Sequence, residues 1–583
     1  MTSARLGSGP FVLLEDQRPG GRARLYRVPS EIVATRDPRE IRAGLRRLSG
    51  RHVAGFVAYE AGHALERKLA PLERSPGEDD PPLLWFGLFE GFEEVDAVDL
   101  LPSGAGAWAA SPRPLVERAA YEAAVAEAKR HILAGDIYQA NLTFPAEVRF
   151  AGSPLALYAA LRARARGGHG ALLFTGEHWI LSFSPELFFD TDGRRISARP
   201  MKGTARRGAE PSEDRAAAEL LRADPKQRSE NLMIVDLMRN DLSRVSKPGS
   251  VKVPALFAVE TYPTVHQMTS TVAAELEEGI GPADIIETFF PCGSVTGAPK
   301  IRAMEIIADL EPAPRGVYTG SIGRVAPGGE AEFNVAIRTL VVRAGERVAR
   351  LGLGSGIVAD SSAADEWREC LAKGAFVSDP ARGFDLIETM RFDPEEGMPD
   401  LDRHLARLRR SAEALGFAFD RHHARNELQA ATFRLRGRSR VRLLLSPTGA
   451  TAIEIRPLEP LLAEPVAVAL APRPVASDDF RLVHKTSDRA FYDDARRASG
   501  AFEILFADEG GRLTEGSLTN LFVERDGHLL TPPWSRGLLP GILRERLIEE
   551  GRAIEADLVE ADLANGFLIG NAARGLIRAS LRS

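Results

Sequence analysis

The stretch Ser184–Thr204, SPELFFDTDGRRISARPMKGT, constrains this chain more than any other. Two apolar-rich runs, Leu187–Phe189 and Ile196–Ala198, flank Asp192-Gly193. An Asp-Gly step between such runs is the strongest short-range signal for a hairpin. A two-residue turn there pairs Phe189 with Ile196 and Glu186 with Arg199, and brings Glu186 and Lys202 out at the same open end. A carboxylate and an amine then face a common space. An arbitrary Glu/Lys pair is usually a surface salt bridge of little consequence, but lysine usage shifts that reading. Of 75 basic residues only nine are lysine, at positions 68, 129, 202, 226, 247, 252, 300, 373 and 485. Arginine is the default cation, so a retained lysine points to work that a guanidinium cannot do, such as nucleophilic attack or Schiff-base formation.

With 583 residues the chain is long enough for more than one domain. A formal net charge of −6, without a basic block interleaved with aromatics, gives no reason to expect nucleic acid. Two cysteines, Cys292 and Cys370, cannot build a disulfide framework or a four-thiolate zinc site, and suggest a reducing compartment. The N-terminal residues lack a basic start followed by a long apolar stretch, and no apolar run reaches the length of a membrane span. The expectation is a cytoplasmic protein with no membrane partner.

Taken in order, Val53–Tyr59 and Leu83–Phe89 read as buried strands, and Tyr121–Ala134 as a helix stopping at Gly135. GDIYQANLTF (Gly135–Phe144) reads as a turn and a strand. Asp224-Pro225 starts a helix, Asp as N-cap and Pro first inside it. Met233, Ile234 and Leu237 form its apolar stripe and Glu230 falls on the same side. Either that first turn is still wet, or a metal or substrate meets the carboxylate. FPCGSVTGAPK (Phe290–Lys300) is a glycine-rich turn into a helix, with free N–H groups suited to an anion or simply capped. LGLGSGIVAD (Leu351–Asp360) reads as a strand ending in a Gly-Ser-Gly turn, followed by a helix from a Ser362/Asp365 capping box to Gly374. Along that helix Glu366, Glu369 and Lys373 form a polar stripe, for which a solvated Glu369–Lys373 pair is the simple explanation. Ala375–Gly383 breaks the pattern, which gives domains at 1–374 and 383–583 joined by a linker at 375–382. In the second, Asp402–Leu415 is helical, Leu443–Leu445 and Val466–Leu470 are strands, and Thr514–Asn520 puts Glu515 in a turn. Lys485 is the only lysine after position 373, hence the only candidate there for an aldehyde cofactor.

The first 374 residues resemble the large subunits of chorismate-utilising enzymes, specifically aminodeoxychorismate synthase component I. The resemblance runs through GDIYQANLT, SPELF, PMKGTARRG, ENLMIVDLMRNDL, GSVTGAPK, IRT and GSGIVADS…EWREC. It implies an α+β fold of antiparallel sheets packed with helices, and amination of chorismate by ammonia. Lys202, where the sister anthranilate synthases carry alanine, would attack C2 of chorismate, with Glu186 as partner acid and base. Mg²⁺ would lie between Glu230 and Glu369. His266, Thr296, Gly297, Arg338, Gly356 and Lys373 would contact substrate. Gln227 stands where some relatives carry a further acid.

From about residue 382 the chain is similar to class IV pyridoxal-phosphate enzymes, through HLARL, HKTSDR, TEGSLTNLF, LLPGILRERL and NAARG. That resemblance implies a fold-type IV domain of two α/β subdomains holding pyridoxal 5′-phosphate. Lys485 would form the Schiff base and move the proton, Glu515 would pair with the pyridine nitrogen, and Arg407 with the amide at Ile542 would hold the phosphate. Thr389 would be a substrate-side hydroxyl. The two halves together imply synthesis of 4-aminobenzoate, the second half eliminating pyruvate from the product of the first. The alternatives are an aminotransferase in the second half, an anthranilate synthase-like first half, or one half serving only as a docking module. No amidotransferase segment is evident, so ammonia would come from a separate glutamine amidotransferase subunit or from free ammonium. The second family commonly dimerises, which leaves a homodimer through the C-terminal half open.

Overall fold

The computed structural model describes residues 6–18, 20–165, 167–208, 210–261, 265–379, 383–459 and 463–582. Part of the expected linker, 380–382, lies outside them. The chain forms two compact units, one of Met1–Pro102, Ser111–Val148 and Tyr158–Ser378, the other of Ser103–Ala110, Arg149–Leu157 and Asp379–Ser583. No described helix is long and apolar enough to cross a membrane.

The strand His52–Val57 shows how the first unit is layered. Alternate side chains of a strand leave on opposite faces, and here both faces are buried, which is why VAGFVA reads as an unbroken apolar run. Ala54 and Phe56 pack with Val12, Tyr26, Leu173 and Ile180 of the facing sheet. Val53 and Val57 join Phe188, Ile234, Met238 and Phe289 beneath the helices. One sheet runs Gly297–Ala298, Gln139–Ala151, Val348–Ile357, Thr339–Arg343, His178–Ser184, His169–Phe174, Phe11–Glu15, Ala23–Arg27 and Glu93–Val95. The other runs Met201–Arg206, Val265–Glu275, Arg195–Arg199, Leu187–Thr191, Ala331–Val335, Ser321–Val325, His52–Val57, Leu84–Phe89 and Glu31–Thr35. The pairings described within both are antiparallel. Phe188 stacks on Phe289 with ring centroids 4.9 Å apart and so anchors the strand that follows Glu186.

The central hairpin forms with a different register from the one expected. Thr191 pairs with Ile196, Asp190 with Ser197 and Leu187 with Arg199, and a register shift falls between Leu187 and Asp190. The cause is the side chain of Asp192. Its Oδ1 accepts the N–H of Arg194 at 2.9 Å and of Arg195 at 2.7 Å, which widens the turn to Asp192–Arg195. The bulge then recovers one residue of the two-residue offset, and the open end still carries Glu186 and Lys202.

Three further expectations change. Gly354-Ser355-Gly356 is no turn, because Val348–Ile357 runs straight through it as a strand. Its glycines answer close neighbours instead: a Cβ on Gly352 would lie 2.0 Å from the Tyr318 ring, and one on Gly354 2.6 Å from Thr143 Cγ2. Ser362 caps the helix Ala363–Gly374 without a side-chain bond, since Asp365 is drawn to Arg368. Glu515 lies in the strand Leu513–Gly516 rather than in the turn after it.

In the second unit, Leu386–Phe392, Ser439–Leu445 and Thr451–Pro457 form an antiparallel sheet. Leu405, Leu408, Ala412 and Leu415 of the helix Leu401–Leu415 pack on it, as the spacing requires. The larger sheet has eight strands and a parallel centre, with Val466–Pro472 running alongside both Glu503–Ala507 and Gly575–Leu581.

Candidate active sites

In the first unit Lys202 sits on the strand Met201–Arg206, whose register with Val265–Glu275 shifts between Met201 and Thr204. The half-buried amine reaches across to the facing sheet. A Cβ built on Gly356 would lie 3.0 Å from Lys202 Nζ and 3.0 Å from Gln139 Nε2, so amine, glycine and amide meet at one point. Burial, and after it Lys373, hold the Lys202 pKa below the ordinary lysine value against the pull of Glu230, Glu186 and Glu369. Glu186 is 5% exposed and its Oε1 has no hydrogen-bond partner. Burial pushes its carboxyl up to about 7, although Ser294, Lys202, the Met201 N–H and Lys373 all favour the charged form. A protonatable acid therefore lies within electrostatic reach of the half-buried amine.

Glu230 and Glu369 come from different helices, Pro225–Ser243 and Ala363–Gly374. Burial raises the Glu230 pKa, Lys202 and Lys226 oppose the rise, and Glu369 and Asp360 add to it. Burial also pushes Glu369 upward, but Lys373, Lys202 and Lys226 outweigh it and leave its pKa below the usual value. Lys373 Nζ lies 2.8 Å from Glu369 Oε1 and donates to the Gly354 carbonyl at 2.9 Å. Among the described residues no cluster of three or more His, Cys, Asp or Glu is placed to hold a metal. Glu230 and Glu369 are carboxylates of the kind Mg²⁺ takes, one or two at a time, with water and substrate completing its shell; Glu369 adds to the charge felt by Glu230.

The remaining substrate-side candidates differ in what is left for a ligand. His266 is 2% exposed, and its ring nitrogens meet Thr261 Oγ1 at 3.0 Å and Asp214 Oδ1 at 2.9 Å. It pairs with Ala205 on the strand that carries Lys202. The Thr296 hydroxyl donates within its own turn, to the carbonyls of Cys292 and Gly293. Gly297 pairs with Ala140, and its missing Cβ would sit 2.2 Å from the Gln139 carbonyl. Arg338 is half-buried in the bend before Thr339–Arg343 with φ +50°, a left-handed value uncommon outside glycine. Gln139 was missed in the sequence although its motif was recognised. It is 1% exposed and neither amide atom has a partner, a state a buried amide keeps only at a cost.

In the second unit a cavity of about 320 Å³ contains Lys485, Glu515, Arg407, His404, Thr389 and Ile542 among its lining residues. Burial and Arg407 bring the Lys485 pKa down to about 7; Glu388 opposes this, and Arg489 and Arg442 contribute to it. Glu515 is 5% exposed and accepts the Tyr492 hydroxyl at 2.7 Å. Burial pushes its carboxyl up to about 7, despite that bond. Arg407 donates twice to Glu388, at 2.9 and 2.6 Å, and once to the Pro540 carbonyl at 3.0 Å. His404 Nδ1 meets the same carboxylate at 2.6 Å, while its buried Nε2 has no partner. Ile542 opens the helix Ile542–Glu549, whose first N–H groups are unpaired by construction. These groups fit pyridoxal 5′-phosphate: an amine for its aldehyde, a carboxylate for its ring nitrogen, and for its phosphate a guanidinium, a helix N-terminus and the orphan imidazole nitrogen. His404 was overlooked in the sequence, as were Arg440, Arg442 and Arg574, which also line the cavity. Arg440 and Arg442 alternate along one strand and so share a face; Arg440 and Arg574 share Glu459, and Arg442 reaches Glu454 at 3.4 Å.

Residues 22–379 match the model of the chorismate binding enzyme family, and residues 385–581 match that of class IV amino-transferases. Anthranilate synthase alpha subunit 1, chloroplastic, of Oryza sativa subsp. indica is 41% identical over 294 residues, 48% of this chain and 50% of that protein. Aminodeoxychorismate synthase component 1 of Klebsiella aerogenes is 41% identical over 267 residues, 46% of this chain and 58% of that protein. The chain thus spans about half the length of the curated relatives it matches. The crystal structure of anthranilate synthase component I from Streptococcus pneumoniae TIGR4 superposes with a TM-score of 0.53 at 24% identity, covering 61% of this chain and 92% of that one, a likeness of fold.

Proposed function

The chain belongs to the chorismate binding enzymes, and from that premise we propose a two-site enzyme of 4-aminobenzoate synthesis. The first unit aminates chorismate to 4-amino-4-deoxychorismate, and the second removes pyruvate from that product. The observation that carries the reading is the half-buried Lys202 amine against Gly356 and Gln139, with Glu186 beside it. Lys202 Nζ bonds to C2 of the ring as the C4 hydroxyl departs, taking a proton from Glu186, which retains one up to a pH of about 7. Ammonia then bonds to C4, the C2–N bond breaks, and the Lys202 amine is regenerated. The ionised Glu186 accepts the proton that ammonia sheds. The unpartnered Gln139 amide suits the small polar group that arrives or leaves. Mg²⁺ held by Glu230 and Glu369 would offset the charge of a substrate carboxylate.

In the second unit, bound pyridoxal 5′-phosphate supplies an electron sink for breaking a C–H bond next to an amino group. Arg407, His404 and the Ile542 N–H would hold its phosphate, and Glu515 would face its ring nitrogen. Lys485, with its pKa at about 7, takes and returns a proton near neutral pH. Arg440, Arg442 and Arg574 suit a substrate with two carboxylates. Ammonia comes from a separate glutamine amidotransferase or from free ammonium. The setting is the cytoplasm, in keeping with two free, buried cysteines, and the second unit is the expected place for a homodimer contact.

The test is chorismate and ammonium, without glutamine, given to the chain loaded with pyridoxal phosphate and Mg²⁺. 4-Aminobenzoate and pyruvate are the expected products. Anthranilate would instead support a second reading, favoured by the equal identity to the rice protein. Amino-group exchange with a keto acid, without pyruvate from aminodeoxychorismate, would support an aminotransferase, as the second family's name allows.

A further inference from the structure

Behind the cavity of the second unit lies a carboxylate that the proposed reaction does not use. Glu503, first residue of the strand Glu503–Ala507, is 1% exposed. Its Oε1 accepts the N–H of Ser517 at 3.0 Å, the Ser517 hydroxyl, and the N–H of Ile504 at 2.9 Å. Its Oε2 accepts the N–H of Leu518 at 2.9 Å and the Thr519 hydroxyl at 2.9 Å. Four of these five donors belong to one three-residue turn. A buried carboxylate is costly unless such donors meet it, and here all the described partners are neutral.

The turn it gathers is a wall of the cavity. Ser517, Leu518 and Thr519 all line it, and the turn joins Glu515 to Asn520, which are paired across it. The same carboxylate explains the glycine between Glu515 and Ser517. A Cβ on Gly516 would lie 2.7 Å from Thr519 Oγ1 and 3.0 Å from both Cδ and Oε2 of Glu503, so the knot closes only around a residue without a side chain. Arg489 and Asn571 hold the outer carbonyls of the turn, those of Ser517 and Leu518. Of its inward N–H groups, that of Leu518 is held by Glu503, and that of Ser517 is shared between Glu503 and the Ile504 carbonyl at 3.2 Å.

We propose that Glu503 is a positioning residue: it ties the 517–519 turn into a single shape and thereby fixes Glu515 and the adjoining wall against the ring of the aldehyde cofactor. The inference rests on the reading of the second unit as a pyridoxal-phosphate site. An amide does not reproduce the carboxylate, because whichever oxygen becomes NH₂ then faces a backbone N–H that can only donate, that of Leu518 at Oε2 or those of Ser517 and Ile504 at Oε1. Glu503→Gln is therefore nearly isosteric yet undoes the knot.

The experiment uses the full chain, with the thermal unfolding of each variant compared with that of the wild type as the control for folding. Pyridoxal phosphate affinity and the pH midpoint of its visible absorbance band are measured for the wild type, Glu503→Gln, Glu503→Asp and Thr519→Val. In Glu503→Gln the affinity should fall by about tenfold or more and the midpoint should move. Thr519→Val should shift both in the same direction by less, and Glu503→Asp should recover part of the loss. Wild-type affinity and midpoint in Glu503→Gln would overturn the proposal. If that variant does not fold, Thr519→Val and Ser517→Ala, which each delete a single hydroxyl donor, decide by the same two readouts: shifts in both sustain the proposal and unmoved values overturn it. A wild-type chain that binds no pyridoxal phosphate would overturn the underlying reading as well, a result distinct from intact wild-type binding that Glu503→Gln leaves unmoved.

Discussion

Lys202 and Lys485 are the same side chain in opposite surroundings. Burial lowers both pKa values, but three carboxylates, Glu186, Glu230 and Glu369, pull Lys202 back toward its charged form. Around Lys485 the balance is reversed: Arg407, Arg489 and Arg442 press the amine toward neutrality and only Glu388 resists, leaving it at about 7. The first site thus sets Glu230 and Glu369 among lysines, Lys373 included, a mixed field that would suit a metal ion together with an anionic substrate. The second carries surplus positive charge, which suits an anionic cofactor and an anionic substrate. Desolvation makes an amine available as a nucleophile; the sign of the neighbouring charge selects what is brought to it.

The contrast breaks most sharply at the lysines themselves. Lys485→Ala should remove the visible absorbance of the pyridoxal phosphate-loaded chain and lower the second activity by on the order of 10³-fold or more, with the first intact. Lys202→Ala should abolish or divert amination at C4 to a similar extent while pyruvate release from supplied aminodeoxychorismate persists. Coupled loss of both activities in either variant would contradict two independent sites.

Glu186→Gln tests the acid beside the first amine. Its turnover should fall by about 10²–10⁴-fold. Its stability should move the other way. The native carboxyl titrates at about 7 rather than 4.5, so the native state holds a proton that the unfolded chain has already released. That contribution is complete below pH 4.5 and is lost as the pH rises through about 7. Above it, Glu186→Gln should be more stable than the wild type by up to about 3 kcal/mol, and below pH 4.5 no different, as urea unfolding at the two pH values would report. In the same window the wild-type first activity should decline as Glu186 loses its proton; a flat profile from pH 6 to 8 would remove it as the acid.

A smaller effect sharpens the comparison. Gln139→Leu deletes a buried amide that has no partner, so stability should hold or improve by about 1 kcal/mol. Ammonia-dependent turnover should drop by about tenfold to a hundredfold, with pyruvate release from supplied aminodeoxychorismate unchanged.

Much of this was legible from spacing. The helix Pro225–Ser243 begins where Asp224-Pro225 requires, and Asp224 Oδ1 accepts the N–H groups of Lys226 and Gln227. The scarcity of lysine marked nine positions, and the hairpin and the motifs drew 202 and 485 out of them. The hairpin was legible in kind but not in register, because the Asp192 side chain competes with the backbone for the turn's donors. Gly354 and Gly356 misled, since a glycine demanded by a neighbouring strand looks in sequence like one demanded by a turn. Gln139 and His404 lie inside motifs that gave no sign of their part, and Glu503 gave no local signal at all. Their meaning lies in atoms left unpaired or in donors gathered from segments far along the chain.

By itself the sequence marked candidates for chemistry, such as Lys202, Glu186, Lys485 and Glu515, and where most strands and helices would start, because propensity, caps and alternation act over a few residues. Only the tertiary structure decided that an amine from one sheet would rest against a glycine and an amide of the other, and that one lysine would lie among acids and the other among arginines. Burial and net field are sums over many elements, and no short stretch of chain contains them.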